Sequence, residues 1–184
     1  MRRATRGERL ISLIVATLHR VRELERLLCS LDAQSRRDFE VIVVDQNADH
    51  RLAPLLAMSR RAHLVIRHLH SEPGLSRARN AGLRAATGDL LAFPDDDCWY
   101  PEHLLAAVTG WFDSNPGFGL LSAAVRTAEN QLSGPNSPAT SRACTRSNVW
   151  RCAVSTALFM RRSVATGIGD FNEEIGVGAC SAYQ

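Results

Sequence analysis

Two runs, "LISLIV" at residues 10–15 and "FEVIVVD" at residues 39–45, are apolar at nearly every position. A strand that buries one face alternates apolar and polar residues, whereas a strand covered on both faces reads as a continuous apolar run. Between the two runs Val21, Leu24, Leu27, Leu28 and Leu31 fall on one helical face. The same alternation continues. "RLAPLLAMSRR" predicts a short helix with Pro54 in its first turn. "AHLVIRHLH" predicts a third strand, and "SEPGLSRARNAGLRAATG" a helix entered through Pro73-Gly74 and closed by Gly88. "DLLAF" predicts a fourth strand, and "PEHLLAAVTGWF" a helix with Pro101 near its first position that buries Leu104, Leu105, Val108, Trp111 and Phe112. "GFGLLSAAV" and "AVSTALFMRR" predict two more strands, the last followed by a short helical turn. Residues 126–147 are polar and contain Gly134, Pro135, Asn136 and Pro138, which predicts a long loop. The pattern implies an α/β fold with a mostly parallel sheet and helices on both faces.

In such sheets ligands bind beyond the carboxyl ends of the strands. Here those ends carry "ATLHR", "DQNAD" and "PDDDCW". Asp95, Asp96 and Asp97 repel one another unless a cation joins them. A divalent ion on a diphosphate needs only one or two protein carboxylates, and alternate residues Asp95 and Asp97 can face the same side for that purpose. A solvated acidic turn ahead of Pro101 is the other reading. Asp45 suits acceptance of a hydrogen bond from a base N–H or a ribose hydroxyl; it equally suits opening a turn at Asn47. On the helix after Gly74, Arg77, Asn80 and Arg84 share one face and Arg79 lies off it. A guanidinium near a helix start suits a diphosphate, while Arg77 and Arg84 read equally as solvent-facing. His68 and His70 alternate on a strand end, as a metal pair or as surface residues.

Composition removes other classes. All 22 residues in the Lys+Arg count are Arg, so no Lys-bearing phosphate loop exists, and no GxGxxG follows the first strand. A nucleotidyltransferase would want a Gly-rich first loop with Lys. There is no GxSxG elbow. The five cysteines form no CxxC pair, which favours a reducing compartment over a disulfide framework or structural zinc. The longest apolar runs fall short of the roughly 20 residues of a membrane helix, and no signal-peptide cleavage site follows the first. The basic start "MRRATRGER" reads as a solvated tail or as a contact to anionic lipid; without interleaved aromatics it does not read as nucleic-acid binding.

The segments "ISLIVATLHRVRELERLLCSLDAQSRRDFEVIVVDQNAD", "GLSRARNAGLRAATGDLLAFPDDDCWYP", "TALFMRRSVA" and "GIGDFNEEIGVG" together cover most of the chain. In their order, and in the Ala-Arg-Asn-x-Gly helix followed by a strand and an Asp-x-Asp turn, the chain resembles the family 2 inverting glycosyltransferases. The resemblance implies a Rossmann-like fold of the GT-A, nucleotide-diphospho-sugar transferase type. It also implies that Thr17 lines the nucleotide pocket, that Asp45 holds base or ribose, and that Arg79 sits near the nucleotide or supports its loop. Asp95 and Asp96 would contact the nucleotide sugar, and Asp97 with Asp95 would hold Mn²⁺ or Mg²⁺. The implied reaction displaces the nucleoside diphosphate of a UDP-, GDP- or dTDP-sugar by a hydroxyl of a glycan or lipid-linked acceptor, with inversion. Cell-surface polysaccharide biosynthesis, in the cytoplasm or at the inner face of the cell membrane through peripheral contact, would be the setting.

The family follows its G-x-F-x-E segment with an acidic pair that supplies the general base. "GDFNEEIGVGACSAYQ" reaches Gln184 without such a pair; Glu173 and Glu174 match the segment before it. The expectation is therefore one GT-A domain over 1–184 that lacks the C-terminal acceptor and base segment. It divides into a basic tail at 1–9, a nucleotide-sugar-binding part at 10–125, a loop at 126–147 and the start of an acceptor part at 148–184. The alternative is a shortened, non-catalytic remnant that only binds nucleotide sugar.

Overall fold

The computed structural model describes residues 9–61, 64–127, 131, 143–149 and 154–178. The elements run β1 (Ile11–Thr17), α1 (Val21–Asp32), β2 (Phe39–Asp45), α2 (Ala53–Arg61), β3 (Ile66–His70), α3 (Leu75–Ala85), β4 (Leu90–Ala92), α4 (Leu104–Ser114), β5 (Leu120–Ser122), β6 (Leu158–Arg161) and α5 (Arg162–Ile168). Six strands form one sheet in the order β3-β2-β1-β4-β6-β5. β1 pairs in parallel with both β2 and β4, and β2 with β3; β6 is antiparallel to β4 and to β5. The mostly parallel α/β sheet read from the continuous apolar runs is present.

Both faces of the sheet are covered, which is why β2 is buried at all its positions. On one side Leu24, Leu27, Leu28 and Leu31 of α1 join Leu55 and Leu56 of α2, and Leu105, Val108 and Phe112 of α4, against Leu13, Val15, Val41 and Val43. On the other side Ala78 of α3 and Ala165 of α5 pack over Ile14, Ile42, Val44 and Leu91. The small residues of α3 matter here. A Cβ on Gly82 would lie 2.3 Å from Ile14 Cγ2, so only glycine lets the helix sit this close to β1.

Three sequence expectations shift. α3 ends at Ala85, and Ala86 is extended rather than left-handed. Gly88 is small for a different reason than helix termination: a Cβ there would stand 2.7 Å from Leu10 O and from Ser12 N. α4 begins at Leu104, with Pro101 in the turn before it, its carbonyl accepting from the Leu104 N–H. Arg9, assigned to the tail, is tied down: its Nε donates to Asp113 at 2.8 Å, and its carbonyl accepts from Arg36. Residues 1–8, 128–130, 132–142, 150–153 and 179–184, which include most of the loop expected over 126–147, fall outside the described residues.

Inside the sheet sits a polar group that the apolar runs conceal. Glu40 of β2 is buried, and one oxygen accepts from Ser12 Oγ, Thr87 N and Thr87 Oγ1, each at 2.7 Å. Burial alone would raise its pKa, but these donors and the nearby Arg67 guanidinium outweigh it and hold the carboxylate below its ordinary value. The network clips β1, β2 and the start of β4 together at the end opposite the functional edge.

Candidate functional site

β1 lies between β2 and β4, so the chain winds outward through β2 and β3 and then returns through α3 to the other side of β1. α1 and α3 leave on opposite faces. This reversal opens a crevice at the carboxyl end of β1, where α/β sheets place their ligands. Thr17 closes β1, Asp45 closes β2, and Asp95–Asp97 follow β4. All five converge on one edge.

The β1–α1 turn is pinned to the β2 loop. His19 adopts a left-handed φ of 64°, unusual for a residue with a Cβ, and its N–H donates to Asn47 Oδ1 at 2.8 Å. Asp45 is buried. Its Oδ1 accepts from the backbone N and the Nδ2 of Asn47 at 2.9 and 2.7 Å, while Oδ2 meets His68 Nε2 at 3.1 Å. The turn-opening role and the site position coexist, since each uses a different oxygen.

Beyond β4 the three acids separate. Asp96 is the buried one: Thr17 Oγ1 donates to its Oδ2 at 2.8 Å, and Arg20 Nη1 reaches its Oδ1 at 3.2 Å. The same Arg20 nitrogen lies 2.5 Å from Asp97 Oδ2, whose side chain is 48% exposed. Asp95 turns to Arg79, 3.4 Å away. The simple alternation that would pair Asp95 with Asp97 is therefore not the arrangement here. The turn directs Asp96 and Asp97 to one guanidinium and Asp95 to another. Burial pushes Asp95 and Asp96 above the ordinary carboxylate range, opposed for Asp95 by Arg79 and for Asp96 by Thr17 and Arg20. The same two cations answer the mutual repulsion of the triplet.

Arg79 is the inward arginine of α3. It is largely buried, with its guanidinium 5.8 Å from the Phe93 ring centroid and 5.7 Å from that of Phe171. Burial lowers its pKa, and Asp95 works against that. The other face of the helix engages the residues after α5. Arg77 and Asn80 Nδ2 contact Glu173 at 3.3 and 3.0 Å, Asn80 exchanges bonds with the Phe171 backbone, and Arg84 pairs with Asp170 at 3.2 Å. Arg77 and Arg84 are exposed yet partnered. Glu173 is held below its ordinary pKa by Asn80 first and by Arg77.

Sequence reasoning singled out Thr17, Asp45, Arg79, Asp95, Asp96 and Asp97, and all lie at this edge. It passed over Arg20, which sits in the quoted "ATLHR" turn, and Gln46, whose side-chain oxygen accepts from Gly74 N at 2.8 Å at the start of α3. Their signal was position alone: each lies within three residues of a strand's carboxyl end. Next to the acidic turn is a cavity of about 360 Å³ lined by Asp97, Trp99, Tyr100, Leu104, Ala157 and Phe159 among others.

The sequence model of "Glycosyl transferase family 2" matches residues 12–169. The chain belongs to this family. A succinoglycan biosynthesis protein, ExoW, of Rhizobium meliloti is 42% identical over 91 residues, covering 46% of this chain and 28% of that protein. An uncharacterized glycosyltransferase of Haemophilus influenzae is 35% identical over 94 residues, covering 50% of this chain and 31% of its own length. The chain thus spans about a third of the curated relatives it matches. Among solved structures, S. aureus TarS 1-349 in complex with UDP superposes with a TM-score of 0.75 at 20% identity, covering 91% of this chain and 51% of that one. The mannosyltransferase PcManGT of Pyrobaculum calidifontis, in complex with GDP-Man and Mn²⁺, gives 0.69 at 22% identity, covering 91% and 49%. The fold of this family member is that of the GT-A enzymes. Among the described residues no helix is long and apolar enough to cross a membrane.

Proposed function

We propose that this glycosyltransferase binds a nucleoside-diphosphate sugar across the carboxyl ends of β2, β1 and β4 and transfers the sugar, with inversion, to an acceptor hydroxyl. The observation that carries the reading is the Thr17–Asp96 bond across the β1/β4 crevice, with Asp45 on one side and Asp97 on the other. Asp45 is oriented by Asn47 to accept from the base or ribose. Asp95 and Asp97 offer the oxygen donors that Mn²⁺ or Mg²⁺ prefer, and Asp97 is open enough to reach one. Their partners here are guanidiniums, so the site already favours a cation. The bound metal would offset negative charge on the leaving diphosphate. Arg20 and Arg79 offset the charge of the three carboxylates and hold them in place, and Arg20 is placed to turn to a phosphate oxygen.

ExoW and an amylovoran biosynthesis glycosyltransferase, AmsB, of Erwinia amylovora are named for polysaccharide synthesis. A glycan or lipid-linked acceptor in that class of pathway fits the reading, as does a cytoplasmic site of action with peripheral membrane contact. Binding without transfer is the second reading. It is favoured by the engagement of Glu173 with Asn80 and Arg77, which leaves that carboxylate committed to α3. Calorimetry with UDP, GDP and dTDP, with and without Mn²⁺, tests the first step. Acceptor-dependent release of nucleoside diphosphate from a panel of nucleotide sugars tests the second. Absence of metal-dependent binding to any of the three would overturn the proposal, and binding without turnover would leave the second reading.

A further inference from the structure

On the outer side of Asp45 the sheet brings together three groups that the glycosyl-transfer reading does not use as a set. β2 and β3 are parallel, with Asp45 opposite His70 and Val43 opposite His68. Asp45, His68 and His70 therefore project from the same face of two neighbouring strands. One ligand atom from each lies within 4.8 Å of the others, and the two imidazole rings stand 4.7 Å apart at an angle of 51°. From this register we propose that Asp45, His68 and His70 form a site for a borderline divalent transition metal, Zn²⁺ or Co²⁺, separate from the oxygen-donor turn at Asp95–Asp97.

The donor set decides the class of ion. Two imidazoles and one carboxylate suit Zn²⁺, Co²⁺ or Ni²⁺, whereas Mg²⁺ prefers oxygen alone. Zn²⁺ takes nitrogen and oxygen ligands at roughly 2.0–2.2 Å, and three protein ligands leave one position for water. Asp45 Oδ2 and His68 Nε2 are already 3.1 Å apart, the separation expected of two ligands on one ion. The exposed His70 ring has only a short distance to close. Asn47 supplies what holds a ligating carboxylate in place: its N–H and Nδ2 fix Oδ1 and leave Oδ2 turned to the histidines. The nearby cation Arg51 is occupied by Asp49, in a two-point pair at 2.7 and 2.6 Å.

This inference stands apart from nucleotide binding except that Asp45 belongs to both, so the test contains no nucleotide. The chain is titrated with Co²⁺ at about pH 7.5, where imidazole is mostly neutral, and visible absorption is recorded. One equivalent should develop the intense bands of a four- or five-coordinate site with nitrogen ligands, and Zn²⁺ but not excess Mg²⁺ should abolish them. His68→Ala and His70→Ala should each weaken Co²⁺ binding at least about tenfold, and Asn47→Ala about ten- to a hundredfold through the lost orientation of Asp45. Asp97→Ala should leave the bands unchanged. Because His70 is exposed, His70→Gln serves as a second variant with the parent fold, checked by an unchanged melting temperature without metal. Bands that survive in both His70 variants, or that vanish in Asp97→Ala, would overturn the proposal.

Discussion

The two flanks of β1 use the same residue type for different ends. On the β2 flank one aspartate is fixed by a local turn and faced by imidazole. On the β4 flank three aspartates are fixed by nothing local; Arg20 from the turn after β1 and Arg79 from α3 hold them from a distance in sequence. The first flank is organised before any ligand arrives, because Asn47 satisfies Asp45 directly. The second is organised around positive charge. A carboxylate turn of this kind is suited to exchange a guanidinium for a metal and a diphosphate. On the proposed reading, recognition of the nucleoside and handling of its phosphates separate onto the two sides of one strand.

The largest effect should come from breaking the β4 flank. Asp97→Ala removes the most open carboxylate of the turn, and with it the proposed metal ligand. Calorimetry should show the Mn²⁺-dependent part of nucleoside diphosphate binding abolished, with a melting temperature close to that of the parent because the side chain is half exposed. Unchanged metal dependence would return the triplet to a solvated turn.

Breaking the β2 flank should cost less and in a different way. Asp45→Ala should weaken nucleoside diphosphate binding with or without metal by about 1.5–3 kcal/mol, the value of a charge-assisted hydrogen bond. Asp45→Asn, which retains an acceptor for the Asn47 N–H, should recover most of the stability but not the affinity. Normal binding by a destabilised Asp45→Ala variant would make Asp45 a turn former only.

The two flanks also differed in how far the sequence revealed them. The sheet was readable because apolar continuity in "LISLIV" and "FEVIVVD" is a direct consequence of burial on both faces. The site's position followed from where those runs stop. Asp45's turn was readable too, since Asp and Asn two apart form it locally. The pairing on the β4 flank was not: Arg20 and Asp97 are 77 residues apart, and no periodicity reports a contact between two loops. Period-two alternation was the wrong guide to Asp95 and Asp97 because the chain has left the strand at Ala92 and turns at Asp96-Asp97. Glu40 was hidden inside an apolar run for a related reason. Its partners Ser12 and Thr87 are brought to it by strand pairing and a tight passage at Gly88. The likeness of Gly88 to a helix-ending glycine shows how one residue type serves two physical demands.

A smaller effect sharpens the idea that Arg20 stands where cationic charge is wanted. Arg20→Ala leaves Asp96 and Asp97 with less compensation, so Mn²⁺ measured without nucleotide should bind a few-fold more tightly, while nucleoside diphosphate with Mn²⁺ should bind more weakly. If both affinities move in the same direction, Arg20 is acting only as a structural tie.

The smallest effect should appear in the pH dependence of stability, and its sign distinguishes the buried acid of the β4 flank from the buried acid at the far end of the sheet. Burial raises the pKa of Asp96 in the folded chain. A raised acid binds its proton more tightly when folded, so its contribution to stability is full below the ordinary aspartate value of about 3.9 and is lost as pH rises through the folded value. Glu40 is lowered, so its contribution is full above the ordinary glutamate value of about 4.3 and is lost as pH falls through its folded value. The two therefore tilt the melting temperature in opposite directions and in adjoining windows, Glu40 below about pH 4.3 and Asp96 above about pH 3.9. Asp96→Asn should remove the downward slope with rising pH, and Glu40→Gln the loss toward acid, each read as the difference in melting temperature from the parent across a pH series. In the same series Mn²⁺ affinity of the parent should rise with pH as Asp95 ionises, since metal and proton compete for its oxygens. An Asp96→Asn difference curve that is flat, or that slopes the other way, would mean that Arg20 and Thr17 outweigh burial at Asp96 and that the β4 flank is as settled without a ligand as the β2 flank.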